Sequence, residues 1–242
     1  TNLRIDLAEL SDPASQTRFE NCVADVNIPL GEVFTSPRLS GTEGLLHVGS
    51  VYISGIQFKD LTKEFKEGRV SSVSCGNCLE GLPPLAGEQE RKEAAEAGRK
   101  LVVQEIMNQH ETLPMGEFAI GTNTTAYAMA ERFGITDRLP ILIVEKMGPH
   151  FAVGDTCYSW SEDSPMYNPD GKEMTARDNE VSILRKEDVS RAYFGVHKDI
   201  TIPYKEMGSI TVVEPGGTRV SIIKDGRFVL PGTEELNQAL DR

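Results

Sequence analysis

The chain has 242 residues, long enough to bury a substantial core as one large domain or two small ones. Its composition is that of an ordinary globular protein, with 39% hydrophobic residues, four cysteines and no apolar run near the roughly 18 residues a membrane span needs. A net charge of −12, from 37 acidic and 25 basic residues, argues against nucleic acid as a partner, because a polyanion needs a positive surface. Solubility alone accounts for much of that charge, although carboxylates also suit a metal site.

The first half reads as strands. Leu3 to Leu7 alternates apolar and polar residues, Cys22 to Ile28 runs up to the Pro29-Leu30-Gly31 break, and Leu45 to Ile56 and Gln57 to Phe65 follow. Gly68 marks a turn from which Arg69 to Cys75 returns as a hairpin partner. Residues 76 to 87 read as a Gly- and Pro-rich loop. Glu88 to Gln109, rich in Ala, Glu, Lys and Arg, reads as a helix. Thr122 to Phe133 is a second helix, capped by Thr122 or Asn123 and stopped by Gly134. Leu139 to Val144 reads as a short buried strand. Residues 161 to 180 are polar and read as a long loop over the site. Ile200 to Ile202 and Ser209 to Val213 read as strands, Val220 to Leu230 as a hairpin turning on Asp225-Gly226, and Glu234 to Leu240 as a short helix. No composition shift marks a domain boundary. The fold class is α+β, mostly antiparallel or mixed sheet with a few helices and a metal site in a central cleft.

Three short patterns carry chemistry. Ile28-Pro29-Leu30-Gly31-Glu32-Val33 echoes Leu113-Pro114-Met115-Gly116-Glu117-Phe118: apolar, Pro, apolar, Gly, Glu, apolar. A carboxylate set among apolar residues is costly unless paired or bound to a cation. Two ligands from pseudo-equivalent elements is one reading, and two turn glutamates facing water is the other. His197-Lys198-Asp199 precedes an apolar run, and in a strand positions i and i+2 share a face, so an imidazole and a carboxylate stand side by side. A surface pair on a strand edge is the alternative. Glu145 to Gly154 sets Glu145, Lys146 and His150 in apolar sequence, where His150 is either a ligand or a satisfied core residue. His47 and His110 read as structural. Cys75 and Cys78 form a C-x-x-C, but Cys22 and Cys157 do not supply a second pair for structural zinc. Sparse cysteines fit a reducing cytoplasm. Imidazole and carboxylate donors suit zinc, cobalt or manganese, and two such ions roughly 3.5–4 Å apart can activate water and polarise a carbonyl.

At these residues the sequence resembles the thermophilic metallo-aminopeptidases typified by aminopeptidases T and S. Asn27 to Pro37 is similar to their N-I-P-x-G-E-V-F-T-x-P signature and Gly116 to Asn123 to G-E-F-A-x-G-T-N. Glu145-Lys146 with His150 to Gly154, and then His197-x-Asp199, follow in family order. The resemblance implies that Glu32, Glu117, His150, His197 and Asp199 ligate two divalent metal ions, with Glu117 bridging, and that the reaction removes the amino-terminal residue from a peptide substrate with a free amino terminus. It implies catalytic roles for Glu145 and Lys146, as acid/base and carbonyl contact or as a salt-bridged support. It also implies one for Tyr158 at the oxyanion, although Tyr158 stands one residue further from His150 than in the family. Residues 1–242 would then be the C-terminal catalytic domain of a longer enzyme, partnered by an upstream α/β domain and forming a homodimer. Two departures are the 161 to 180 segment, which reads as an insertion, and Gly148-Pro149, where the family carries Gly-Gly-Thr. The alternatives are a binding or dimerisation module without turnover and another two-metal amidohydrolase.

Overall fold

The computed structural model describes residues 1–23, 28–76, 87–158 and 164–241. The expected strand over Cys22 to Ile28, the loop over 76 to 87, Cys78 and the start of the 161 to 180 segment fall wholly or in part outside these residues. In chain order the elements are β1 (Asn2–Asp6), β2 (Gln16–Thr17), β3 (Glu20–Asn21), β4 (Glu32–Thr35), β5 (Arg38–Ile53), β6 (Ile56–Lys66), β7 (Arg69–Ser74), α1 (Glu88–Glu105), β8 (Met115–Gly121), α2 (Thr124–Phe133), α3 (Ile141–Val144), β9 (Pro149–Gly154), β10 (Glu173–Met174), β11 (His197–Thr201), β12 (Ser209–Val213), β13 (Arg219–Lys224) and β14 (Arg227–Phe228). Short 3₁₀ turns fill several connections. The protein is α+β, as the sequence predicts. Among the described residues no helix is long and apolar enough to cross a membrane.

The chain divides into two compact units, each built from separated segments. The first comprises Thr1–Arg18, Thr35–Phe118 and Phe151–Lys198, and the second Phe19–Phe34, Ala119–His150 and Asp199–Arg242. The strands β11, β9, β8, β4 and β3 form a five-stranded sheet in that order.

In the first unit, β1, β5, β6 and β7 form an antiparallel sheet in that order. The β5–β6 register pairs Ile53 with Ile56 across Ser54-Gly55, and both turn residues have positive φ, as a two-residue hairpin of the primed type requires. Inward positions put Leu46, Val48, Phe58, Leu61 and Phe65 in the core with Val102, Ile106 and Leu113. Each such burial contributes about 1.5–3 kcal/mol before the entropy of ordering is subtracted. The Leu113–Met115 segment is tied to this core by Val70 N donating to Leu113 O at 2.9 Å and Met115 N to Gly68 O at 2.7 Å. Pro114 lies between these two ladder bonds, so its missing N–H costs no bond there. The polar segment after residue 164 is not wholly irregular: β10 pairs in parallel with β2.

In the second unit, α2 begins where the Asn123 side chain accepts from Ala126 N at 3.0 Å and ends at Gly134 in the left-handed conformation. The β12–β13–β14 meander turns on Asp225-Gly226, again with two positive φ values. Tyr204 packs edge-on to Tyr127 and donates its hydroxyl hydrogen to Gly121 O, which ties the meander's approach to the end of β8. The expected buried strand over Leu139 to Val144 is instead the single helical turn α3, with Ile141 and Leu142 exposed. Pro140 fixes the backbone at the start, and its carbonyl accepts from Ile143 N and Val144 N. A local helical turn therefore wins over the strand preference of Ile and Val.

Candidate metal centre

In the first unit β8 carries Glu117, only 5% exposed. Its Oε2 lies 3.0 Å from His197 Nε2 and accepts from Cys157 Sγ at 3.2 Å. The other ring nitrogen, His197 Nδ1, stands 2.6 Å from Asp155 O. A carbonyl can only accept, so Nδ1 carries the hydrogen and Nε2 is the nitrogen presented to the carboxylate. Asp155 is itself anchored: its carboxylate accepts from Phe194 N at 2.7 Å and Val196 N at 3.3 Å, and its N–H donates to Val196 O at 2.7 Å. Burial pushes the Asp155 carboxyl up, against the pull of those N–H groups. The turn after β9 and the approach to β11 are thus locked together, and this aims His197. Lys198, next along β11, reaches Ser54 Oγ at 3.0 Å.

The motif glycine explains how this turn comes so close to β8. A Cβ on Gly116 would stand 2.2 Å from Asp155 O, so only glycine admits that carbonyl and the residues after it. In this unit Tyr158 is buried, with the Arg177 guanidinium 5.9 Å from its ring centroid. Cys157, one position earlier in this turn, reaches Glu117. Sequence reasoning set Cys157 aside because it lacked a second cysteine. The signal available was its place two residues after Asp155, in the turn that closes the histidine block.

The second unit repeats the pairing with different support. Gly31, at φ +115, leads into Glu32 at the start of β4, and its carbonyl accepts from Thr122 N at 2.6 Å. Glu32 is 5% exposed and His150 1%. His150 Nδ1 is 3.2 Å from Gly148 O, so Nε2 again faces a carboxylate, Glu32 Oε2 at 3.3 Å. Glu32 Oε2 is buried and makes no hydrogen bond. If His150 is neutral, its Nε2 lone pair repels this oxygen unless a cation lies between them; if it is protonated, the two form an ion pair. Lys146 is fully buried and bridges Glu32 and Glu145, the latter at 2.6 Å.

Burial raises the Glu145 carboxyl above its ordinary value, opposed by the Lys146 hydrogen bond and reinforced by the charges of Asp199 and Glu32. Burial alone would lower Lys146, but its bonds to Glu145 and Glu32 outweigh this and hold the ammonium above its ordinary value. Burial and then the Glu32 charge push the Cys22 thiol up to about 11. The charges of Glu32 and Asp199 thus both bear on Glu145, which shares the Lys146 ammonium with Glu32. The remaining negative charge and the imidazole make a donor set that fits a divalent ion of the zinc, cobalt or manganese type.

Of the residues singled out in the sequence, the first unit therefore holds Glu117, His197 and Tyr158, and brings the first two together. The second holds Glu32, Glu145, Lys146, His150 and Asp199, and Glu32, Glu145, Lys146 and His150 form one contact network.

No family model and no curated protein matches the chain. Among solved structures the chain is similar to AmpT, an aminopeptidase T from Thermus thermophilus, with 21% sequence identity and a TM-score of 0.51. The match covers 84% of this chain and 41% of AmpT, so the chain spans well under half of that protein's length. At this identity the likeness is one of fold.

Proposed function

We propose that this chain carries the metal-binding part of an aminopeptidase-like hydrolase, in which Glu32, Glu117, His150, His197 and Asp199 hold two divalent ions and an amino-terminal residue is cut from a peptide. The observation that carries the reading is the doubled carboxylate–imidazole pair, Glu117 with His197 and Glu32 with His150, in which each imidazole presents Nε2 and gives Nδ1–H to a backbone carbonyl. That second-nitrogen bond is the usual way a ligating histidine is oriented. The likeness in fold to AmpT and the order of the sequence blocks support the same reading.

When bound, divalent ions would supply a water of lowered pKa and would polarise the scissile carbonyl. The chain's own residues do the rest. Glu32 would be a ligand, and the ion pair with Lys146 offsets the cost of burying it. Glu145, whose carboxyl burial holds above the usual carboxylate value, is the proton carrier, taking the water's proton and returning it to the departing amine. Lys146 is a positioning residue that fixes both carboxylates.

The test is Glu117→Gln in the full chain, assayed with an aminoacyl anilide and its N-acetylated form, alongside elemental analysis for bound metal. The expected result is hydrolysis of the unblocked anilide alone by the unmodified protein, with activity and at least one metal equivalent lost in the variant. Unchanged hydrolysis by the variant, or equal cleavage of the acetylated anilide, overturns the reading.

A further inference from the structure

We propose that Cys157 is a third protein ligand beside Glu117 and His197, so that the first unit presents an oxygen, nitrogen and sulfur set selective for zinc-class cations over manganese or magnesium. The proposal rests on the reading of Glu117 and His197 as ligands and adds to it a thiolate that neither the echo nor the H-x-D pattern points to.

The geometry carries it. Glu117 Oε2, Cys157 Sγ and His197 Nε2 all lie within 4.8 Å of one another. Bonds of about 2.0–2.3 Å to a tetrahedral zinc put neighbouring ligand atoms about 3.3–3.6 Å apart. Here the sulfur–oxygen distance is 3.2 Å and the nitrogen–oxygen distance 3.0 Å, so the oxygen needs to part from each of the other two donors by only a few tenths of an ångström. The imidazole is already oriented by Asp155 O, and the same carbonyl passes close over Gly116, which places the 155–157 turn beside β8. One short segment thus supplies both the residue that aims the histidine and the residue that adds the sulfur.

Cys157 is exposed, so an ion can reach the sulfur from solvent. On binding, the thiol gives its proton to water and the sulfur binds as thiolate, so no oxidant or reductant is needed. Thiolate is a soft donor. It strengthens binding of zinc, cadmium or cobalt and adds little for manganese or magnesium, which take oxygen ligands.

The experiment is a cobalt(II) titration of the full chain, followed by absorption spectroscopy, with Cys157→Ser as comparison and circular dichroism as the check on folding. The account predicts visible cobalt bands together with a near-ultraviolet thiolate-to-cobalt charge-transfer band that disappears in Cys157→Ser. It also predicts that the substitution weakens cadmium binding about tenfold or more and manganese binding by less than about threefold. Peptide mapping after alkylation gives a second readout: saturating zinc should protect Cys157, and manganese should not. Visible bands without the charge-transfer band, or equal spectra in both proteins, overturn the role of Cys157 and leave the two-metal reading standing. Absence of any cobalt binding overturns both.

Discussion

The two carboxylate–imidazole pairs use one plan in two settings. In the second unit the pair is sealed: His150 is 1% exposed, Glu32 5%, and a fully buried Lys146 is shared by Glu32 and Glu145. In the first unit the imidazole is open, with the His197 side chain 31% exposed, and the carboxylate meets an imidazole and a thiol. A buried carboxylate in a low-dielectric setting needs a cation built into the fold, whereas one beside a solvent-facing imidazole can share its charge with water and with an arriving ion. The sealed pair therefore depends on Lys146 for its stability, and the open pair depends on Gly116 and Asp155 for its aim.

The largest expected effect that separates the two is Lys146→Met. It leaves Glu32 and Glu145 buried without their ammonium and should destabilise the fold by about 3–5 kcal/mol, measured by urea unfolding. A loss below about 1 kcal/mol would mean that the buried carboxylates are neutral and the pair is not ionic. Next, Gly116→Ala drives a Cβ to 2.2 Å from a backbone oxygen, which cannot move as a side chain can. It should cost about 1–3 kcal/mol and weaken metal binding, whereas Gly232→Ala, with nothing within 4 Å, tests positive φ alone.

The pH dependence follows from Lys146. Its ammonium is held above the ordinary value of 10.5, so the folded state binds that proton more tightly than the unfolded state does. The stabilisation is complete below that ordinary value and is lost as pH rises through the folded-state value. Unfolding free energy measured across the alkaline range should fall with pH in the unmodified protein and fall less steeply in Lys146→Met. Equal slopes would remove Lys146 from the linkage. The smallest effect is Cys157→Ser, an exposed position expected within about 0.5 kcal/mol of the parent in stability, so that any change in cadmium affinity reports ligation.

Much of this was legible in the sequence. Local chemistry announces itself: the Asp225-Gly226 turn, the Asn123 cap and the Gly134 stop all fall where their backbone preferences put them. The Pro-x-Gly-Glu echo and the H-x-D pattern picked out Glu32, Glu117 and His197, because a charge inside an apolar run needs a partner. Cys157 was missed, since its partner Glu117 is 40 residues away and its one local mark is its place in the turn that closes the histidine block. Lys146 was found, but whether it acts on substrate or holds carboxylates depends on burial, and the fold makes it a bridge. The strand expected over Leu139 to Val144 failed because apolar β-branched residues read alike in a buried strand and in an exposed helical turn started by Pro140.

The most direct measurement is the zinc stoichiometry of the full chain by calorimetric titration, with His150→Gln and His197→Gln as paired variants. The account predicts two equivalents in the parent protein and a lost or strongly weakened equivalent in each variant. Substoichiometric zinc in the parent, or two undiminished equivalents in both variants, would contradict it.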